Sequence, residues 1–316
     1  MTASRGKASR GRVLLTGASG FAGAALARSL SEAGWTVRAP LRRPVALPSG
    51  SEAVPIGELD AVDWTPLLAG VDAVVHGAGL AHAGPGLDET PYLRINRDAT
   101  LRLGEAAAGR VRRFVFLSSI RAQSGQTAPT VLTEDDRPAP TDAYGRSKLA
   151  AEEGLARLDL AATSLRPVVI YGPGVKANMA LLLRLARLPL PLPLAGLTAP
   201  RSLLSLDNLS GAVCHALEAD APLQGPFIVA DQGPLGLGEI VAAMRSGLGR
   251  RPMLSPAPAG LIAAALRAAG RGDAWDRIAG PLAADPGRLI RRGWQPPVAS
   301  TREGLRRWLS SPGHGR

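Results

Sequence analysis

The sequence predicts an α/β protein built on an open, doubly wound parallel sheet, and three observations predict it. Short apolar runs at 13–16, 36–41, 73–76, 114–118, 164–170 and 227–230 alternate with longer helix-like stretches, the pattern of strands covered on both faces by helices. The first run, Val13-Leu14-Leu15-Thr16, passes at once into Gly17-Ala18-Ser19-Gly20-Phe21-Ala22-Gly23 and then into a stretch with apolar Leu26 and Leu30. A chain of 316 residues with 46% hydrophobic content can bury a substantial core, as one large domain or two unequal lobes.

Taken in order, the elements acquire roles. Gly17, Gly20 and Gly23, with Ser19 and Phe21 between them, allow a tight turn whose backbone N–H groups can approach a pyrophosphate at a helix N-terminus. The segment after the second run decides the cofactor, because an acidic residue there holds the ribose hydroxyls of NAD and an Arg accepts a 2′-phosphate. It reads Leu41-Arg42-Arg43 with no carboxylate, so NADP is expected, with NAD as the alternative. The third run ends at His76 before Gly77-Ala78-Gly79, and the fourth at Ser118-Ser119, where ligands of such sheets lie. His76 and His82 flank the glycine-rich turn, but four His without ligand spacing predict no metal site.

The run Ala143-Tyr144-Gly145-Arg146-Ser147-Lys148 is the sharpest chemical signal in the chain. Only three Tyr (Tyr92, Tyr144, Tyr171) and three Lys (Lys7, Lys148, Lys176) are present, and one of each stands four residues apart. On a helix such residues share a face, so the ammonium is expected to lie beneath the phenol and make it acidic enough to exchange a proton near neutral pH.

Bulk features exclude other classes. The single Cys214 lies in an apolar run, which rules out an intramolecular disulfide framework and fits a reducing, cytoplasmic setting. The first dozen residues are polar, small and basic, so a signal peptide is not expected there. The most apolar region, 179–197, is broken by Arg184, Arg187 and prolines and is not expected to insert in a membrane. A formal charge of +11 comes from arginines scattered along the chain with no nucleic-acid motif to organise them, so no nucleic-acid partner is expected.

With the glycine turn and the Tyr-Lys pair in view, the chain resembles the extended short-chain dehydrogenase/reductase family, in its nucleotide-sugar epimerase and dehydratase branch. The likeness continues through Val74-Val75-His76-Gly77-Ala78-Gly79, Phe114-Val115-Phe116-Leu117-Ser118-Ser119, Leu165-Arg166-Pro167, Tyr171-Gly172-Pro173-Gly174 and Gly293-Trp294-Gln295-Pro296. A narrower likeness, through 174–179, 189–192 and 201–208, is to bacterial enzymes acting on UDP-N-acetylhexosamines for surface polysaccharide. The resemblance implies a Rossmann-like domain at 12–175 after a disordered basic tail at 1–11. It also implies a smaller C-terminal substrate-binding lobe at 176–316, with about 203–231 returning to the Rossmann sheet.

The same resemblance implies roles for single residues. Ser119 would hydrogen-bond the reacting oxygen, with Ser118 as its rival; Tyr144 would exchange its proton, and Lys148 would lower its pKa and bind the nicotinamide ribose. Glu58 and Leu59, Ala78 and Gly79, and Pro167 would line the cofactor, while Asn178 and Arg201 would contact the UDP-sugar. Hydride transfer at carbon 4 of the sugar, by a 4-epimerase or a 4-ketoreductase, is the implied activity. Dehydration is disfavoured because Ile120 and Arg121 follow Ser119 where dehydratases carry Asp-Glu. The alternatives are an NADPH-dependent reductase of a non-nucleotide ketone and a non-catalytic NADP(H)-binding sensor. A homodimer through the helix at Tyr144 and the one near 93–108 is expected by analogy, with Leu149, Leu155 and Leu158 either on its apolar face or packed inside the chain.

Overall fold

The computed structural model describes residues 10–81, 88–258, 260, 264, 267, 268 and 280–311, so His82 and most of the 1–11 tail lie outside the described residues. The chain divides into two compact units. The first comprises the described residues up to Gln123 together with Pro138–Arg166 and Ser210–Phe227, and the second comprises Ser124–Arg137, Pro167–Leu209 and the described residues from Ile228 onward. Segment 124–137, inside the range expected for the first domain, groups with the second unit. There Leu132 bridges Ala284, and Ala128 N–H donates to the Pro281 carbonyl at 2.8 Å.

The first unit carries a Rossmann-like seven-stranded sheet of order β3-β2-β1-β4-β5-β6-β9. The strands are β1 (Arg12–Thr16), β2 (Thr36–Leu41), β3 (Glu52–Pro55), β4 (Ala73–His76), β5 (Arg113–Leu117), β6 (Ala162–Pro167) and β9 (Gly225–Val229). β1 pairs in parallel with β2 and β4, β2 with β3, β4 with β5 and β5 with β6. Val13, Leu14, Leu15, Val74 and Val75 are wholly buried, as continuous apolar strands covered on both faces must be. The order reverses between β1 and β4, and the crevice beyond their carboxyl ends is where this architecture binds ligands. Helix α1 (Phe21–Glu32) follows β1, the short α2 (Glu89–Tyr92) and α3 (Ala99–Ala107) precede β5, and α4 (Ala143–Leu155) precedes β6.

The run at 164–170, expected as one strand, is two. Proline lacks the N–H a ladder needs, so β6 stops at Pro167 and β7 (Val169–Tyr171) begins a separate parallel pair with β8 (Leu203–Ser205). In the second unit α5 (Ala177–Arg187), α6 (Leu206–Glu218, whose later turns belong to the first unit), α7 (Leu237–Gly247) and, near the end of the chain, Thr301–Ser310 are the long helices among the described residues. Its core gathers Tyr171, Met179, Leu182, Leu203, Ile240, Met244, Leu305 and Trp308.

Candidate active site

The glycine turn has the shape its sequence implies. Gly17 has φ +78°, a left-handed conformation that favours glycine, and a Cβ there would lie 2.7 Å from the Ala78 backbone nitrogen. A Cβ on Gly23 would come within 2.0 Å of the Gly17 carbonyl, so α1 can begin this close to β1 only without a side chain. Gly20 caps α1 with no side-chain hydrogen bond, which leaves the first N–H groups directed outward beside exposed Ser19 and half-buried Phe21. A cradle that side chains would fill fits a dinucleotide pyrophosphate.

Tyr144 stands in the first turn of α4, which Asp142 caps by accepting the Gly145 N–H at 2.7 Å. Gly145 is obligatory in this turn, because its Cβ would meet the Arg121 carbonyl at 2.2 Å. That contact seats α4 against the turn Ile120–Ala122, which starts at Ser119 with its hydroxyl accepting the Arg121 N–H at 3.1 Å. The Ser119 hydroxyl is thereby brought beside the Tyr144 phenol, whose pKa it lowers. Ser118, the rival, gives its hydroxyl to the Glu152 carboxylate instead.

Lys148 is buried, 4% exposed, and its Nζ donates to the Leu117 carbonyl at 2.9 Å while lying 4.5 Å from the centre of the Phe116 ring. A Cβ on Gly79 would sit 3.5 Å from that Nζ, so the glycine turn after β4 and the lysine adjoin. Burial pushes Lys148 down to about 8, against the carboxylate of Glu152, which supports the charged form. The expected acidification of Tyr144 by Lys148 is corrected here. Burial pushes the phenol above its usual range, and the influences that pull it back are the nearby Ser119 hydroxyl and the Arg121 guanidinium. The ammonium faces a carbonyl and a ring, so the phenol keeps its proton near neutral pH.

Two buried networks hold these residues, and the sequence reading assigned neither. Arg166 on β6, 2% exposed, donates Nε to the two oxygens of Glu152 at 3.0 and 3.1 Å and reaches Gln123 as well, fixing the carboxylate one turn beyond Lys148. The second runs through His76. Ala78 N–H donates to Thr16 Oγ1 (3.1 Å), Thr16 to His76 Nδ1 (2.7 Å), His76 Nε2 to Thr100 Oγ1 (2.9 Å), and Thr100 to the Asn96 carbonyl (2.7 Å). Because Thr100 gives its only proton to a carbonyl, it must accept from His76, which fixes a neutral imidazole protonated at Nε2. Burial, reinforced by Lys148, holds this histidine down to about 3. Asn96 then links Leu80 to Ser147, accepting the Leu80 N–H at 2.7 Å and donating to Ser147 Oγ at 3.0 Å. Asn96 lies in a π-helical turn, Leu93–Asp98, a geometry no spacing rule reveals.

Arg42 and Arg43 are exposed after β2, and Arg42 Nη1 pairs with Glu58 Oε2 at 3.1 Å, so two expected cofactor contacts engage each other. Leu59 is buried beside them. Pro167 ends β6, and Asn178 is exposed in the first turn of α5. Arg201, 8% exposed, donates to the Gly280 carbonyl and bridges Leu235 and Leu282 through its backbone. Leu155 and Leu158, expected on a dimer face or inside the chain, line Gly104 of α3, and Leu101 closes over Gly154. A groove of about 420 Å³ beside β3, lined by Arg38, Glu52, Val54, Ile56, Ala61 and Leu67 among others, contains none of Ser119, Tyr144 and Lys148.

Comparison with known proteins places these features. The sequence profile of the NAD dependent epimerase/dehydratase family matches residues 13–230. A UDP-glucose 4-epimerase of Vibrio cholerae is 31% identical over 298 residues, 90% of each chain. A ceramide reductase of Caulobacter vibrioides is 29% identical over 311 residues, 94% of this chain and 89% of its own. The solved structure of MoeE5 in complex with UDP-glucuronic acid and NAD superposes with a TM-score of 0.72 at 28% identity, covering 95% of this chain and 98% of that one.

Proposed function

Because the chain belongs to the NAD-dependent epimerase/dehydratase family, we propose that it catalyses hydride transfer at carbon 4 of a UDP-sugar, with Tyr144 as acid and base. The observation that carries this reading is the packing of Gly145 on the Arg121 carbonyl, which seats Tyr144 against the turn that Ser119 starts, in the same unit as Lys148 and the Gly17–Gly23 cradle. When bound, the nicotinamide supplies the hydride acceptor and donor. Every proton step belongs to the chain's own residues.

Ser119 hydrogen-bonds the oxygen on carbon 4, and Tyr144 gives up its phenol proton as the ketone is reduced; in the oxidative direction it is the Tyr144 phenolate that takes the hydroxyl proton as the alcohol becomes a ketone. A phenol pushed upward by burial holds its proton at neutral pH, which suits the reductive step. Lys148, fixed by the Leu117 carbonyl and supported by Glu152, keeps a positive charge beside Gly79 below about pH 8. The glycine turns at Gly17–Gly23 and Ala78–Gly79 hold the dinucleotide, with Pro167 at the end of β6. Arg42 and Arg43 take a 2′-phosphate once Arg42 exchanges Glu58 for it, which makes NADP the cofactor over NAD.

Asn178 and Arg201 are the substrate contacts in this reading, and the substrate class is a UDP-N-acetylhexosamine used for surface polysaccharide in the cytoplasm. The V. cholerae relative is a UDP-glucose 4-epimerase, and MoeE5 carries a UDP-sugar together with NAD. A homodimer is part of the proposal, with half-buried Leu149 at its face. A second reading, reduction of a non-nucleotide ketone, is favoured by the likeness to a ceramide reductase over 94% of the chain.

Incubation with UDP-hexoses and their N-acetylated forms, with and without NADPH or NADH, tests the assignment. Interconversion of epimers without net cofactor oxidation identifies an epimerase, and stoichiometric oxidation a ketoreductase. Turnover of hydrophobic ketones with none of any UDP-sugar overturns the proposal. An Arg42→Ala variant is expected to raise KM for NADPH while leaving KM for NADH unchanged.

A further inference from the structure

The second unit presents an apolar, cationic platform that the chemistry above does not use. Seven large hydrophobic side chains are exposed among the described residues, and four of them, Leu181 (43%), Leu188 (41%), Leu190 (61%) and Met253 (44%), fall on two adjoining segments. Leu181, Arg184 and Leu188 stand at i, i+3 and i+7, one face along α5 and its exit, while Met179, Leu182 and Ala186 fill the core from the other. The loop 188–190 and the segment around Met253 lie side by side, joined by the Leu192–Leu254 bridge and by the Leu192 N–H donating to the Met253 carbonyl at 3.0 Å.

One buried side chain fastens both segments. Arg245, 1% exposed, donates Nη1 to the carbonyls of Pro252 (2.7 Å) and Met253 (3.1 Å), and Nη2 to those of Leu188 (3.0 Å) and Leu190 (2.7 Å). Four carbonyl acceptors offset the desolvation of a guanidinium and hold both loops in place. Met253 is kept at φ +44°, a region non-glycine residues seldom occupy, with its side chain outward. Leu188, Leu190 and Met253 are therefore rigidly displayed. Charge on these segments has one sign. Residues 160–206 and 240–258 contain no Asp or Glu, while Arg184, Arg187, Arg250 and Arg251 are exposed on the platform's segments. Arg250 Nη1 ties the two segments again through the Arg187 carbonyl at 2.6 Å.

We propose that this platform docks the enzyme peripherally on an anionic lipid bilayer, with Leu181, Leu188, Leu190 and Met253 entering the headgroup boundary and the arginines meeting lipid phosphates. A bilayer surface offers apolar depth and negative charge together, the combination the platform complements. Scattered exposed hydrophobics need no explanation; a clamped cluster on segments whose own charges are all cationic does. No helix among the described residues is long and apolar enough to cross a membrane, so the attachment is to one face.

Flotation of the full-length chain with vesicles of phosphatidylcholine, with and without phosphatidylglycerol, tests this. Binding is expected on the anionic vesicles alone and is expected to weaken as ionic strength rises. Arg184→Gln with Arg251→Gln should lower partitioning about fivefold for each cation removed, and Leu190→Gln with Met253→Gln roughly tenfold or more. Melting temperature and turnover in solution should not change. If the apolar pair lowers the melting temperature, the arginine pair, which leaves apolar contacts intact, decides the question. Equal binding to both vesicle types, or binding untouched by either pair, overturns the proposal. So does a halved mass by light scattering in the apolar pair without vesicle binding by the parent, which would make the platform a subunit interface.

Discussion

Tyr144 in the first unit and Tyr171 in the second have opposite surroundings. Tyr171 is 1% exposed, gives its proton to Asp231 at 2.7 Å, and is hemmed in so closely that a Cβ on Gly304 would lie 2.0 Å from its hydroxyl. Asp231 in turn accepts from the Ser205 N–H at 3.0 Å and from Asn208 at 2.7 Å, and Asn208 is locked to Val298 in both directions. Burial and the neighbouring carboxylate drive Tyr171 far above any accessible pH. Every group in that network has its partner. Tyr144 is partly exposed as a residue although its phenol is buried enough to be pushed upward, and beside it stands the Ser119 hydroxyl, itself able to donate or accept. A saturated network fixes a fold, whereas an unsaturated one leaves a proton that a substrate oxygen can share.

The largest effect separates the two residues directly. Tyr144→Phe is expected to lower kcat by about 10²- to 10⁴-fold with little change in melting temperature, since it removes a positioned acid and base. Next comes Glu152→Ala, which leaves the buried Arg166 guanidinium without its carboxylate and is expected to cost about 3–5 kcal/mol in urea unfolding. The milder Glu152→Gln carries a second signature. Glu152 supports the charged form of Lys148, so its loss should move the alkaline limb of kcat/KM from about pH 8 to lower pH. A limb that stays in place would mean that Lys148 does not set it. Tyr171→Phe should do the reverse of Tyr144→Phe, removing about 1–3 kcal/mol by leaving Asp231 a donor short while kcat of the folded enzyme is retained. Equal losses of kcat in both tyrosine variants, with stability unaltered, would break the comparison.

What the sequence disclosed and what it withheld follow one division. Gly17, Gly20 and Gly23 were legible because close backbone approach leaves a local mark, and Tyr144 with Lys148 because a helix face converts spacing into proximity. Apolar runs located the central strands for the same reason. β3 escaped notice as a short, exposed edge strand, Glu-Ala-Val-Pro, with no apolar alternation, and β8 as three residues running straight into a helix. Partnerships were harder. Arg166 meets Glu152, and Lys148 turns to the Leu117 carbonyl, through the packing of α4 on the sheet, which no local pattern encodes. Arg42 and Glu58 were each read as a cofactor contact, yet only the β2–β3 register shows them side by side.

His76 sharpens the comparison with the smallest effect, because it is a saturated network inside the first unit. Thr16 and Thr100 occupy both ring nitrogens, so a second proton on Nδ1 would displace the bond that Thr16 donates, and burial with Lys148 holds the folded histidine at about 3 against 6.5 when unfolded. Between those values the unfolded chain binds a proton that the folded one does not. Stability therefore falls as pH drops through 6.5, by up to about 1.4 kcal/mol per pH unit from this residue. Carboxylates paired in the fold act in the same direction, so the total slope alone does not isolate the ring. His76→Asn is expected to be less stable at pH 7, where the two threonines lose their partner, but to lose less between pH 7 and pH 5 than the parent, the difference being about 2 kcal/mol by urea titration. Parallel slopes in parent and variant would show that the ring titrates in the fold, and closure of the network would then no longer distinguish His76 and Tyr171 from Tyr144.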